Sequence, residues 1–195
     1  MRHFPASLLA IALLGAAAPA SAADPLLEAL RPLCGKAFAG AMASNDAADA
    51  ELKGQPMVMH VAKCTETEIR IPFFVGDDRS RTWMLTATAS GVQLKHRHRH
   101  ADGSLDARTN YGGTSPGPAL AGADGTLTLR FPADAESQAM FVAQGIPASA
   151  ANVWEMGLLP GKRFTYRLVR PKRDFRVVFD LAQEVPAPPE PWGGL

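Results

Sequence analysis

The chain has 195 residues, 47% of them apolar and 7% aromatic, with 16 prolines, 17 glycines, two cysteines and a formal charge of +1. That length and composition suit one globular domain and exclude a disordered chain. A charge near zero also excludes a general attraction to nucleic acid or an acidic membrane surface, leaving only local basic patches.

Arg2 and His3 precede an apolar stretch from Leu8 to Ala18, followed by the small-x-small triplet Ala20-Ser21-Ala22. This is the pattern of a cleaved export signal over residues 1–22. The apolar stretch is too short for a membrane span, which needs about 20 residues. The expected address is therefore periplasmic or secreted. In such an oxidising compartment Cys34 and Cys64 are expected to form a disulfide. Closing that loop would contribute ~3–4 kcal/mol in the chain-entropy view.

After the signal, Asp24-Pro25 reads as an N-cap and first helical residue, with Gly35 ending a short helix. Strands are expected at Lys36–Met42 and Met57–Cys64, separated by a connector or short helix over Asn45–Leu52. Ile69, Ile71, Phe73 and Val75 alternate with Arg70, Pro72 and Phe74 in a further strand, with Pro72 near an edge or bulge. A helix is expected over Asp134–Gln144, then strands at Val153–Leu159, Arg163–Val169 and Phe175–Leu181. Together these predict an all-β fold with minor helix: an antiparallel up-and-down barrel of about ten strands, lipocalin-like or fatty-acid-binding-like in architecture. The domain is expected to span 23–183, with 184–195 a proline-rich flexible tail.

The segment Leu94-Lys-His-Arg-His-Arg-His100 is the one unusual feature. Two-residue turns at Ser90-Gly91 and Asp102-Gly103 bracket it. The implied register sets Leu85 opposite His96, Trp83 opposite His98 and Arg81 opposite His100, and across the second hairpin His96 opposite Thr109 and Leu94 opposite Tyr111. Val92, Leu94, His96, His98 and His100 then share an inner face with Trp83, Leu85 and Tyr111. Lys95, Arg97 and Arg99 share an outer face, with Arg99 set to pair with Asp106. With Arg108 and Arg79 they form a basic strip that reads as a solvated face.

Imidazoles two residues apart on a strand lie about 6.6 Å apart along it, close enough to converge on one metal. His96 and His98 are accordingly candidate ligands for zinc or another divalent transition metal, although the register supplies no third ligand. The alternatives are a polar patch at the barrel mouth, with His100 near water and His96 packed, and an anion or polar-ligand pocket in which Arg81 and mutual repulsion keep the imidazoles neutral. Among enzyme signatures there is no Gly-x-Ser-x-Gly, no His-Glu-x-x-His and no phosphate-binding glycine loop.

The runs Leu33-Cys-Gly-Lys-Ala-Phe-Ala-Gly40, Cys64-Thr-Glu-Thr-Glu-Ile-Arg-Ile-Pro-Phe73, Val75-Gly-Asp-Asp-Arg-Ser-Arg-Thr-Trp83 and Leu94 to Gly103 resemble a group of uncharacterised exported proteins of Gram-negative bacteria. The resemblance implies a periplasmic address and no particular activity, cofactor or partner. The functional expectation is an exported barrel binding a small molecule in its interior, with Trp83, Leu85, His96, His98, His100 and Tyr111 lining the site. A metal-binding protein or metal-dependent hydrolase using His96, His98 and His100 is one alternative. A structural or partner-binding envelope protein is the other. No nucleic-acid partner and no membrane span are expected.

Overall fold

Alternating apolar and polar residues build most of this molecule as strands. The computed structural model describes residues 23–195, so the expected export signal lies outside the described residues. A first meander runs through β1 (Ala37–Met42), β2 (Met57–His60), β3 (Lys63–Cys64), β4 (Glu68–Val75), β5 (Asp78–Thr88), β6 (Gly91–His98) and β7 (Tyr111–Thr114). A second runs through β8 (Leu120–Ala121), β9 (Leu127–Pro132), β10 (Val153–Leu159), β11 (Arg163–Arg170) and β12 (Arg173–Val185). β12 pairs back onto β1, joining both meanders into one curled antiparallel sheet. It is a half-barrel of eleven strands, with the two-residue β3 added beside β4.

The sheet runs from β7 to β8, and β7 approaches β9 without forming a ladder. The Asp134 N–H donates to the Gly112 carbonyl at 2.9 Å, and the Ser137 hydroxyl accepts from the Gly112 N–H at 2.8 Å. Asp134 also caps α2 (Ala135–Ala143) by accepting from the Ser137 N–H, so the start of this helix seals the seam. Gly113 is required there, because a Cβ would collide with the Pro132 carbonyl.

The interior is filled by side chains. Trp83, Trp154, Phe131, Phe164 and Phe179 are all buried, and Trp83 stacks between Phe73 and Tyr166 with ring centroids 4.9 and 4.5 Å away. The expected ligand space in the barrel interior is thus occupied by the core itself, since native interiors pack as densely as organic crystals.

The two ends of the half-barrel differ. One is plugged by α1 (Pro25–Leu30), whose Leu26, Leu27 and Leu30 are buried, each contributing ~2 kcal/mol of apolar burial. The Asp24 carboxylate caps this helix at Leu26 N (2.9 Å) and accepts from Ala119 N (2.8 Å), pinning the β7–β8 loop. The Cys34–Cys64 disulfide ties the segment after α1 to β3 at the same end. At the other end residues of β4, β5, β6, β7, β11 and β12 border a mouth, with Asp49 and Leu52 of a 3₁₀ turn at Ala47–Leu52 and Ser149 of another at Pro147–Ala151 beside it.

Two expectations change along the chain. Met57–Cys64 is broken into β2 and β3 rather than continuous. The proline-rich tail, expected to be free, lies against the sheet: β12 extends to Val185 opposite Ala37, Arg79 donates to the Glu190 carbonyl at 3.2 Å, and Trp192 N–H donates to the Arg79 carbonyl at 3.1 Å. Pro191 is buried by this docking.

Candidate functional site

β5 and β6 carry the histidine strand to the mouth. Their turn closes between Thr88 and Gly91, one residue earlier than expected, so Trp83 faces His96 and Arg81 faces His98. The partner shift is two residues, which leaves every side chain on its expected face. The second hairpin departs further. β6 ends at His98, an isolated bridge joins Arg99 to Leu105, and Asn110 takes a left-handed turn (φ 58°) before His96 meets Tyr111. His100 leaves the wall and is exposed, 3.8 Å from Asp106, which therefore does not pair with Arg99. A one-residue slip at the turn is enough to reverse the side on which His100 stands.

His96 is buried and fully partnered. Its Nδ1 donates to the Tyr111 carbonyl at 3.2 Å, which leaves Nε2 to accept from the Tyr166 hydroxyl at 2.9 Å. The ring stacks on Tyr111 with centroids 4.7 Å apart. His98 Nε2 lies 3.0 Å from the Tyr111 hydroxyl. With these nitrogens engaged and His100 outside, the strand does not bring three ligands together. Among the described residues no group of three or more His, Cys, Asp or Glu side chains is placed to hold a metal ion. Of the three histidines, His96 and His98 stay on the wall and His100 leaves it.

Burial pushes His96 down to about 3, helped by His98, and pushes His98 down to about 4, helped by the Arg81 charge. Both are neutral at physiological pH. Burial raises Tyr111 to about 12 and Tyr166 well above its usual value, so both phenols keep their protons and can donate.

Around this cluster a hollow opens to solvent. Its inner part, about 140 Å³, is lined by Phe73, Arg81, Trp83, His96, His98, Tyr111 and residues of β11 and β12. It shares His98, Tyr111, Tyr166, Leu168 and Arg173 with an outer depression of about 420 Å³, whose walls include Arg108, Phe141, Trp154 and Arg170. Trp83, His96, His98 and Tyr111 border the hollow. Leu85 does not: it is fully buried, deeper in the core.

Comparison of the chain with protein-family models, curated proteins and solved structures finds no match. The reading of the site therefore rests on its geometry.

Sequence reasoning missed the half of the wall that comes from β11, β12 and the covering turns. Arg173 is one of these. It is held by Asp46 at 2.9 Å and by both oxygens of the buried Asp49, and the Asp49 hydrogen bonds raise its pKa further. The Arg-x-x-Arg spacing of Arg170 and Arg173 across a turn was the available signal. On the outer face, the expected solvated strip is largely engaged. Lys95 bridges to Asp134 (2.9 Å) and Glu136 (3.0 Å) across the seam, and Arg99 donates to the Gly103 carbonyl at 2.6 Å.

Proposed function

We propose that this chain is an exported small-ligand-binding protein whose site is the mouth of the half-barrel rather than its interior. The observation that supports this reading is the pair of hollows that share His98, Tyr111, Tyr166, Leu168 and Arg173 beside an otherwise packed core. A concave site of a few hundred Å³ with aromatic walls and a few placed polar groups is what small-molecule recognition requires. The export pattern of residues 1–22 and the Cys34–Cys64 disulfide fit an oxidising compartment outside the cytoplasm.

The test is native mass spectrometry of the protein recovered from the periplasm, beside a Leu168→Trp variant. Leu168 borders both parts of the hollow, and an indole there would fill it. A co-purifying small molecule in the wild type that is lost in Leu168→Trp supports the mouth site. A ligand retained equally by both, or bare protein that binds nothing from a small-molecule thermal-shift panel, overturns it in favour of a structural or partner-binding role.

A further inference from the structure

Two of the four guanidinium groups at the mouth have no carboxylate partner among the described residues. Arg81, Arg108, Arg170 and Arg173 border the hollow, against Asp49 and Asp106. Arg173 is consumed by Asp49 and Asp46, and Arg81 pairs with Asp78 just outside. Arg170 differs. It is half-buried at the end of β11, and its side-chain partner is the neutral Asn152 amide oxygen at 3.1 Å. Arg108 stands across the outer depression, exposed, and neither guanidinium has a carboxylate partner among the described residues. The Asp106 carboxylate also borders this depression and keeps its charge, one oxygen accepting from the Arg108 backbone N–H at 2.6 Å and the other lying 3.8 Å from His100.

The Tyr166 hydroxyl is spent on His96 and the Tyr111 hydroxyl lies on His98, whereas Asn152 orients Arg170 without neutralising it. The same depression is bordered by the half-buried apolar side chains of Tyr111, Ile146 and Leu168. Guanidinium groups recognise planar oxyanions through paired N–H donors, and aromatic faces recognise flat apolar bodies.

Resting on the mouth-site reading above, we propose that the ligand is a small organic anion, its carboxylate-type or sulfonate-type group held between Arg108 and Arg170 and its apolar body against Tyr111, Ile146 and Leu168. Two fluorescent probes isolate the charge: 8-anilinonaphthalene-1-sulfonate, and N-phenyl-1-naphthylamine, which has the same rings without the sulfonate. Titrating both into the exported chain, with excitation through tryptophan, is expected to show the sulfonate binding at least ~10-fold more tightly. Arg170→Gln, and independently the exposed Arg108→Gln, should bring the sulfonate toward the neutral probe's affinity without changing the latter. Raising salt to about 0.5 M should weaken the sulfonate alone. Equal affinities of the two probes, or arginine variants that leave the sulfonate unchanged, overturn the anion assignment while leaving a mouth site standing. Failure of both probes to bind overturns the mouth site itself. Thermal melts of each variant confirm folding, and Arg108→Gln, on an exposed loop, serves if Arg170→Gln does not fold.

Discussion

The two ends of the half-barrel are built from different chemistry. At the plugged end, three leucines of α1, one capping aspartate and a disulfide close the barrel with apolar contact and a covalent tie. At the open end, histidines, phenols and arginines sit where a plug would otherwise be. Apolar burial is favourable at any pH. Neutral buried imidazoles and paired guanidinium groups are stable only while their protonation is right. The comparison teaches that the apolar and covalent closure and the polar, titratable cluster occupy different ends of this fold.

The largest effect expected from that difference is on acid stability. His96 and His98 are neutral when folded, with values near 3 and 4, against about 6.5 when unfolded. Below pH 6.5 the unfolded chain therefore binds more protons, and stability falls as pH drops toward 4, by on the order of 1.4 kcal/mol per pH unit for each histidine. Urea midpoints measured from pH 7 to 4.5 should fall steeply, and His96→Phe should flatten the slope by about one proton. An unchanged slope in that variant would show that His96 is not a buried neutral group.

At the plugged end, Cys34→Ser/Cys64→Ser should cost ~3–4 kcal/mol. Hydrogen exchange should increase first in α1 and β3, with Tyr111 and β11 still protected. Exchange rising first at the mouth would break the separation of the two ends. Arg173→Met leaves the buried Asp49 without its partner and should cost ~3 kcal/mol, read as a lower denaturant midpoint. Since Asp49 and Arg173 form the mouth wall, this change should also weaken ligand binding, which the cysteine pair should not.

A methyl group at the seam tests the site's frame. Gly113→Ala forces β7 away from Pro132 and should lower stability by ~1–3 kcal/mol, with Tyr111 displaced. Smallest is the tail. Truncation after Val185 removes the Arg79–Glu190 and Arg79–Trp192 hydrogen bonds and should cost at most ~1 kcal/mol, with probe binding unchanged. A large loss would make the tail part of the core.

Much of the fold was legible because periodicity reports burial. Val153–Leu159 was placed residue for residue, and the helix over Asp134–Gln144 was bounded by its own cap and its following glycine. The disulfide followed from two cysteines and an export pattern. The site was half legible. Alternation put His96, His98, Trp83 and Tyr111 on one face, and that survived a wrong register because the error was an even number of residues. His100 failed because the second turn slipped by one.

The sequence by itself determined the class of fold, the inward face of the histidine strand and the covalent tie, since each depends on local spacing or on a count of residues. Only the tertiary structure decided that the interior is full, that Arg170 and Arg173 reach the mouth from distant strands, and that Asp134, Ser137 and Gly113 meet at the seam. Those outcomes depend on how far a twisted sheet curls and which side chains meet inside it, and that is fixed by packing between residues many strands apart rather than by any local pattern.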